Sequence, residues 1–311
     1  MRYETVLTRS FAILRRKPWL WLLALFAGES GGGGGGGGGG TGGFASRTTT
    51  APGTSPDFSW VPHWLADRTT LFVEIGVAIL AVWLVFFVVS CVASGAFIGA
   101  VARVDAGQPT SFGTAWQMGA GAFRRVLGLK LLIALAILLP LLLLLLVLLV
   151  GASSGTRGLL VGLVLDLPLL VAALVWDVFV GWFSLLALRA CVLEERGARA
   201  AIAAAWDLLR RRFPRIALTT VIFIAANVGV GIVTSIIYSL VEVPFVGPLT
   251  IEMVEGRWSE ATGTLLLSLA ILVPVSLAVN SAVGAYFGAA WTLAYRRFGV
   301  EEQPEEPPLA A

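Results

Sequence analysis

Asp166 and Asp177 carry the most pointed chemistry in this chain, because both stand inside one long apolar block, from Leu159 to Leu188. An ionised carboxylate surrounded by hydrocarbon is costly, so an acid inside a span is by default a functional candidate. Eleven residues of α-helix turn the chain through about 1100°, roughly 20° past three full turns, so the two carboxyls share a face. That face has the chemistry to line a proton or cation path or to meet a cationic substrate. The competing reading is structural: the acids hydrogen-bond within a bundle, with Asn227 and Asn280 of two other apolar blocks as partners.

Little else could catalyse a reaction. The single histidine, His63, precedes Asp67 by one helical turn, a pair more typical of a surface than of an active site. Cys91 and Cys191 give no zinc spacing with one histidine. Each falls near the inner end of an apolar block, where the cytosol keeps thiols reduced, so no disulfide is expected. The run Gly31 to Gly40 is not a phosphate loop, since that pattern needs a Lys-Ser/Thr pair opening a helix and here Gly43 leads into Phe44 and Ala45. No enzymatic activity, cofactor or metal is expected.

The elements that would position the two aspartates are apolar blocks of membrane-crossing length. The 311 residues are 57% hydrophobic and 13% charged, against about 25% charged in soluble domains. About 20 apolar residues cross ~30 Å of hydrocarbon. Five blocks meet that length: Leu71 to Val101, Leu131 to Val150, Leu159 to Leu188, Ile216 to Val241 and Leu265 to Ala290. A sixth, Trp19 to Gly28, is half as long; it follows Arg15, Arg16 and Lys17 and reads as a short or half-inserted span. Residues 29–58 are a Gly/Ser/Thr-rich flexible outer loop, followed by a headgroup-level patch at Trp60 and Trp64. Pro140, Pro168 and Pro274 are expected to kink their spans. Residues 301–311 form a disordered acidic tail.

Charge fixes the orientation. Eighteen of the 22 Lys and Arg residues fall on one side of the alternating blocks, and the positive-inside rule places that side, with both termini, in the cytoplasm of a multi-pass plasma-membrane protein. The clusters are nearly all arginine and lie between apolar blocks, which points to anionic lipid headgroups rather than nucleic acid. The candidate headgroup ligands are Arg15, Arg16, Lys17, Arg124, Arg125, Arg210, Arg211 and Arg212.

Self-similarity organises the same residues. Phe11-Ala12-Ile13-Leu14-Arg15-Arg16-Lys17-Pro18 matches Trp206-Asp207-Leu208-Leu209-Arg210-Arg211-Arg212-Phe213-Pro214, with a looser copy from Trp116 to Arg125. On the inward spans, Gly95 to Ala100 matches Gly284 to Ala289. The expected architecture is an all-α polytopic bundle of six transmembrane helices, arranged as three helix-pair repeats with cytoplasmic amphipathic connecting helices. Residues 1–300 form one membrane domain with units at about 1–105, 106–198 and 199–300. In the third connector, Ile202, Ala205, Trp206, Leu209 and Phe213 form one apolar stripe. It suits either the inner lipid interface or an elbow packed under the bundle. Gly95, Gly99, Gly284 and Gly288 would let helices approach closely.

The opening Tyr3 to Gly28, the link Arg103 to Phe123 with Gly107-Gln108-Pro109-Thr110-Ser111-Phe112, and Arg189 to Pro214 with Glu194-Glu195-Arg196-Gly197 together resemble a bacterial membrane domain. It is the one found in some glycerophosphoryl diester phosphodiesterases and in stand-alone, uncharacterised relatives. In those enzymes the catalytic site lies in a separate soluble barrel, absent from this sequence, so the resemblance implies a membrane module. The function expected is a non-enzymatic module that binds membrane lipid or a partner, the partner being a second copy or another membrane protein. The alternative is a transporter of a small solute or lipid using Asp166 and Asp177.

Overall fold

The computed structural model describes residues 3–28, 69–254 and 257–300. Among these residues all regular structure is helical: α1 (Tyr3–Arg16), α2 (Trp19–Ala27), α3 (Thr69–Asp105), α4 (Phe112–Ser153), α5 (Gly155–Leu193), α6 (Ala198–Val254) and α7 (Trp258–Val300). Five helices, α3 to α7, are long and apolar enough to cross a membrane. The chain is an all-helical membrane-type bundle. The sixth expected span is not found as a full helix. α2 has 9 residues, a rise of about 13.5 Å against roughly 30 Å of hydrocarbon, and it ends where Gly28 turns left-handed at φ 72°. The glycine-rich segment, Trp60, Trp64, the His63–Asp67 pair and the acidic tail lie outside the described residues.

Local chemistry explains where the helices start and break. Ser111 opens α4 as a capping box: its hydroxyl accepts from the Thr114 amide at 3.3 Å, and the Thr114 hydroxyl accepts from the Ser111 amide at 2.9 Å. Pro18 separates α1 from α2. Two residues before Pro214, Arg212 leaves helical geometry (φ −124°, ψ 25°) and breaks α6 into two helical segments, because a proline ring cannot continue the preceding turn unstrained. No proline stands within a few residues after Arg124 and Arg125, and α4 runs through them unbroken. Pro140, Pro168 and Pro274 also lie within unbroken helices. Pro140 still withdraws an amide from the carbonyl four residues back, and the indole of Trp176 on α5 fills that place, donating to Ala136 O at 2.8 Å.

The packed core sits at one end. Leu20 and Leu23 of α2, Phe97 and Ile98 of α3, Leu129 of α4, Leu186 of α5, Ile216 of α6 and Phe287 and Phe298 of α7 are all buried there. Toward the opposite end the same helices leave Val77, Leu80, Leu139, Leu167, Leu240 and Leu266 more than half exposed. Apolar surface of that extent suits hydrocarbon as its solvent. The first turns of α4 lie upright against the last turns of α3. Gly119 makes this possible, since a Cβ there would stand 2.2 Å from Val92 O and 2.8 Å from Ala96 N. At the far end, Gly151, Gly158 and Gly162 let α4 and α5 close into a tight hairpin.

Candidate functional site

The packed end is also the basic end, and its charged residues divide into two groups. The first ties helices together. Asp105, at the end of α3, pairs with Arg9 of α1 at 2.6 Å and with Arg296 of α7 at 2.6 Å. Arg9 also donates to the Asp105 carbonyl, and Arg296 to that of Ala102. Arg297 reaches Thr5 of α1 at 2.9 Å. Across the bundle, Glu194 at the α5–α6 turn accepts from the Tyr295 hydroxyl of α7 at 2.5 Å and pairs with Arg196 at 2.7 Å. Arg189 is fully buried, donating to Leu185 O at 2.8 Å and to Gly288 O at 3.2 Å. A buried guanidinium needs such acceptors to offset its lost hydration.

The second group faces outward. Arg15 and Arg16 of α1, Arg124 of α4 and Arg210 of α6 are exposed, and none has an acidic partner among the described residues. Arg210 stacks on the ring of Trp206 with its guanidinium carbon 4.5 Å from the centroid. Trp206 in turn meets Phe179 of α5 edge-on at 6.2 Å. Arg211 is exposed and paired with Asp207 one turn back, Arg125 stands 3.8 Å from Glu195, and Lys17 and Arg212 are half-buried beside the two helix breaks. The eight candidate headgroup ligands are therefore not equivalent: four are unneutralised at the surface.

The intramembrane polar residues are placed differently from the structural expectation. Asp166 and Asp177 do share a stripe with Gly162, Leu169 and Ala173 that is less exposed than the rest of α5. Asn227 of α6 is half-buried and Asn280 of α7 exposed, and among the described residues no hydrogen bond links either to an aspartate. The stripe faces the leucine-rich part of α4, where Gly162 stands against Val147 and Gly151, so no amide comes within reach. Asp166 Oδ1 is left buried without a hydrogen-bond partner. Of the four candidate packing glycines, Gly95 lies on Gly119, its would-be Cβ 3.2 Å from that Cα, and Gly99 faces Met118. Gly284 and Gly288 are buried on α7.

A further polar cluster has no counterpart in the sequence reading. Lys130 of α4 donates to Ser94 Oγ at 2.8 Å, Ser90 Oγ at 2.9 Å and Ser90 O at 3.2 Å on α3. Ser94 donates onward to Ala27 O at 3.0 Å, the last carbonyl of α2. The available signal was that Lys130 is one of only two lysines among 22 basic residues. Asp105, Glu194 and Tyr295 carried none, because their partners across the bundle are 96 to 191 residues distant. No group of three or more potential metal ligands occurs among the described residues.

Five apolar helices packed at a basic end, with the opposite halves presenting leucine and valine outward, define a polytopic membrane protein. Within that class, the chain belongs to the Family of unknown function (DUF7544), whose family model matches residues 7–294. No curated protein and no solved structure matches it.

Proposed function

We propose that this protein is a non-enzymatic module of the plasma membrane that holds anionic phospholipid around its cytoplasmic, basic end. The observation that carries the reading is the exposure of Arg15, Arg16, Arg124 and Arg210 without acidic partners among the described residues, whereas Arg9, Arg189 and Arg296 are spent on ties between or within helices. An arginine fork matches a phosphate oxygen pair, and each base near an anionic surface contributes about 1 kcal/mol. The resemblance to a membrane domain of phosphodiesterases that act on glycerophosphoryl substrates agrees with a module that meets phospholipid headgroups.

The three-unit, six-crossing arrangement belongs to the same proposal. α1 is tied to the basic end through Arg9 and Thr5, while α3 arrives there from the far end. Of the expected first crossing, α2 is the part that lies within the described residues. Breaks at Lys17–Pro18 and at Arg212 before Pro214, each closing a basic cluster, support the equivalence of the first and third units.

The test is lipid retention by native mass spectrometry of detergent-solubilised protein offered phosphatidylglycerol and phosphatidylcholine. Wild type is expected to retain phosphatidylglycerol preferentially. Arg15→Gln, Arg16→Gln, Arg124→Gln and Arg210→Gln combined should abolish the preference; an unchanged preference refutes the reading. A second reading, transport of a cationic solute, is favoured by one observation, the buried unpartnered Asp166 Oδ1. Asp166→Asn with Asp177→Asn would remove uptake into proteoliposomes, and uptake that survives both changes eliminates it.

A further inference from the structure

The cluster around Lys130 has the anatomy of a cation site. α2 stops inside the bundle, at a level on α3 some 11 to 15 residues before its basic end at Asp105, about 16 to 22 Å along the helix axis. A helix that ends there leaves its last carbonyls without intrahelical donors and presents the negative end of its dipole. In hydrocarbon, water cannot supply the missing donors. Here the hydroxyls of Ser94 and Ser90 reach Ala27 O, and the Lys130 ammonium donates to those hydroxyls from behind.

Within the cluster Lys130 donates to Ser94 Oγ, Ser90 Oγ and Ser90 O. Each serine thereby accepts through a lone pair and keeps its own proton. Ser94 directs that proton to Ala27 O at 3.0 Å or Ser90 O at 2.7 Å, and Ser90 Oγ stands 3.5 Å from Ala27 O. The positive charge at Nζ polarises both hydroxyls toward the carbonyl end of α2. Ser94 is fully buried and Lys130 and Ser90 half-buried, so bulk water screens the arrangement poorly. The ammonium thus meets two hydroxyls and one helix carbonyl beside a helix C-terminus, and oxygens at helix C-terminal ends are what hold small monovalent cations within membrane bundles.

We propose that Ser90 Oγ, Ser94 Oγ and Ser90 O, set against the C-terminal carbonyl end of α2, form a monovalent-cation site inside the bundle, which the chain fills with its own Lys130 ammonium. Without that ammonium, the same oxygens take Na⁺ or K⁺. The inference is independent of the headgroup reading, because none of these residues belongs to the exposed arginine set.

The experiment uses the full chain in detergent, with thermal unfolding followed by tryptophan fluorescence at constant ionic strength in choline, sodium or potassium chloride. Wild type is expected to melt at one temperature in all three salts. Lys130→Met should melt several degrees lower in choline chloride and recover saturably as Na⁺ or K⁺ replaces choline. Adding Ser94→Ala should remove the recovery. Should Lys130→Met not survive extraction in choline, extraction in sodium or potassium chloride is compared directly, and Lys130→Gln, which keeps two N–H donors, goes through the same series. Identical behaviour of these variants in the three salts overturns the proposal, as does recovery that persists with Ser94→Ala.

Discussion

Gly119→Ala isolates the contact on which the basic end depends. The added methyl would stand 2.2 Å from Val92 O, 2.8 Å from Ala96 N and 2.9 Å from Ala96 Cβ. Two of those three atoms are helix backbone, which cannot rotate aside as a side chain would. Ordinary contact with a carbonyl oxygen requires a little over 3 Å, so α4 must withdraw from α3 by about 1 Å along the direction of closest approach. That withdrawal loosens Ala115, Ala122 and Val126, which are buried on the same stretch of α4. Overpacking of this kind costs about 1–3 kcal/mol, with the higher helix propensity of alanine returning up to ~1 kcal/mol. The net expectation is a loss of about 1–2 kcal/mol. Gly121→Ala is the internal control: it lies two residues on in the same helix, and a Cβ there meets nothing within 4 Å. It should be neutral or stabilising by up to ~1 kcal/mol. Reversible unfolding in mixed micelles, following tryptophan fluorescence, measures both. If Gly119→Ala is as stable as Gly121→Ala, α3 and α4 do not pack in this way and the core described at the basic end is wrong.

Three other outcomes follow from individual contacts. Trp176→Phe removes the donor to Ala136 O and should cost about 1–3 kcal/mol; in a Pro140→Ala background, where a helical amide again serves that carbonyl, the same change should cost less, and a double-mutant cycle reads the difference. Asp105→Asn leaves Arg9 and Arg296 without their shared carboxylate, but Arg9 is half exposed, so about 1–2 kcal/mol is expected. Since salt screens the Arg9 side of the pair, the loss measured by thermal unfolding should shrink as ionic strength rises. Glu195→Gly relieves a non-glycine residue held at φ 53° and gives up only an exposed pair 3.8 Å from Arg125. It should raise stability by roughly 0.5–1 kcal/mol in the same melts; a fall would show that Glu195 does more at the α5–α6 turn than the geometry indicates.

The sequence by itself determined what depends on composition and one-dimensional spacing. Long leucine and valine blocks have no stable alternative to helices in hydrocarbon, so five spans and the all-helical class were legible from residue order. The breaks fall at Pro18 and just before Pro214, the prolines that close the matched basic clusters, whereas Pro140, Pro168 and Pro274, expected to kink their spans, lie within unbroken helices. The repeat of basic clusters could likewise be seen, but not which arginines are spent. Arg9 and Arg296 converge on Asp105, while Arg15 and Arg124 face outward with the same side chain. Only the packing of α1 and α7 against α3 distinguishes them. Asp166 and Asp177 were placed on one face by helical rotation alone, whereas their separation from Asn227 and Asn280 follows from which helix the face meets. The cation-like cluster was least legible. Ala27, Ser90, Ser94 and Lys130 come from three helices, and three of the four residues are common small ones. They acquire meaning because α2 stops short and leaves carbonyls that hydrocarbon cannot solvate.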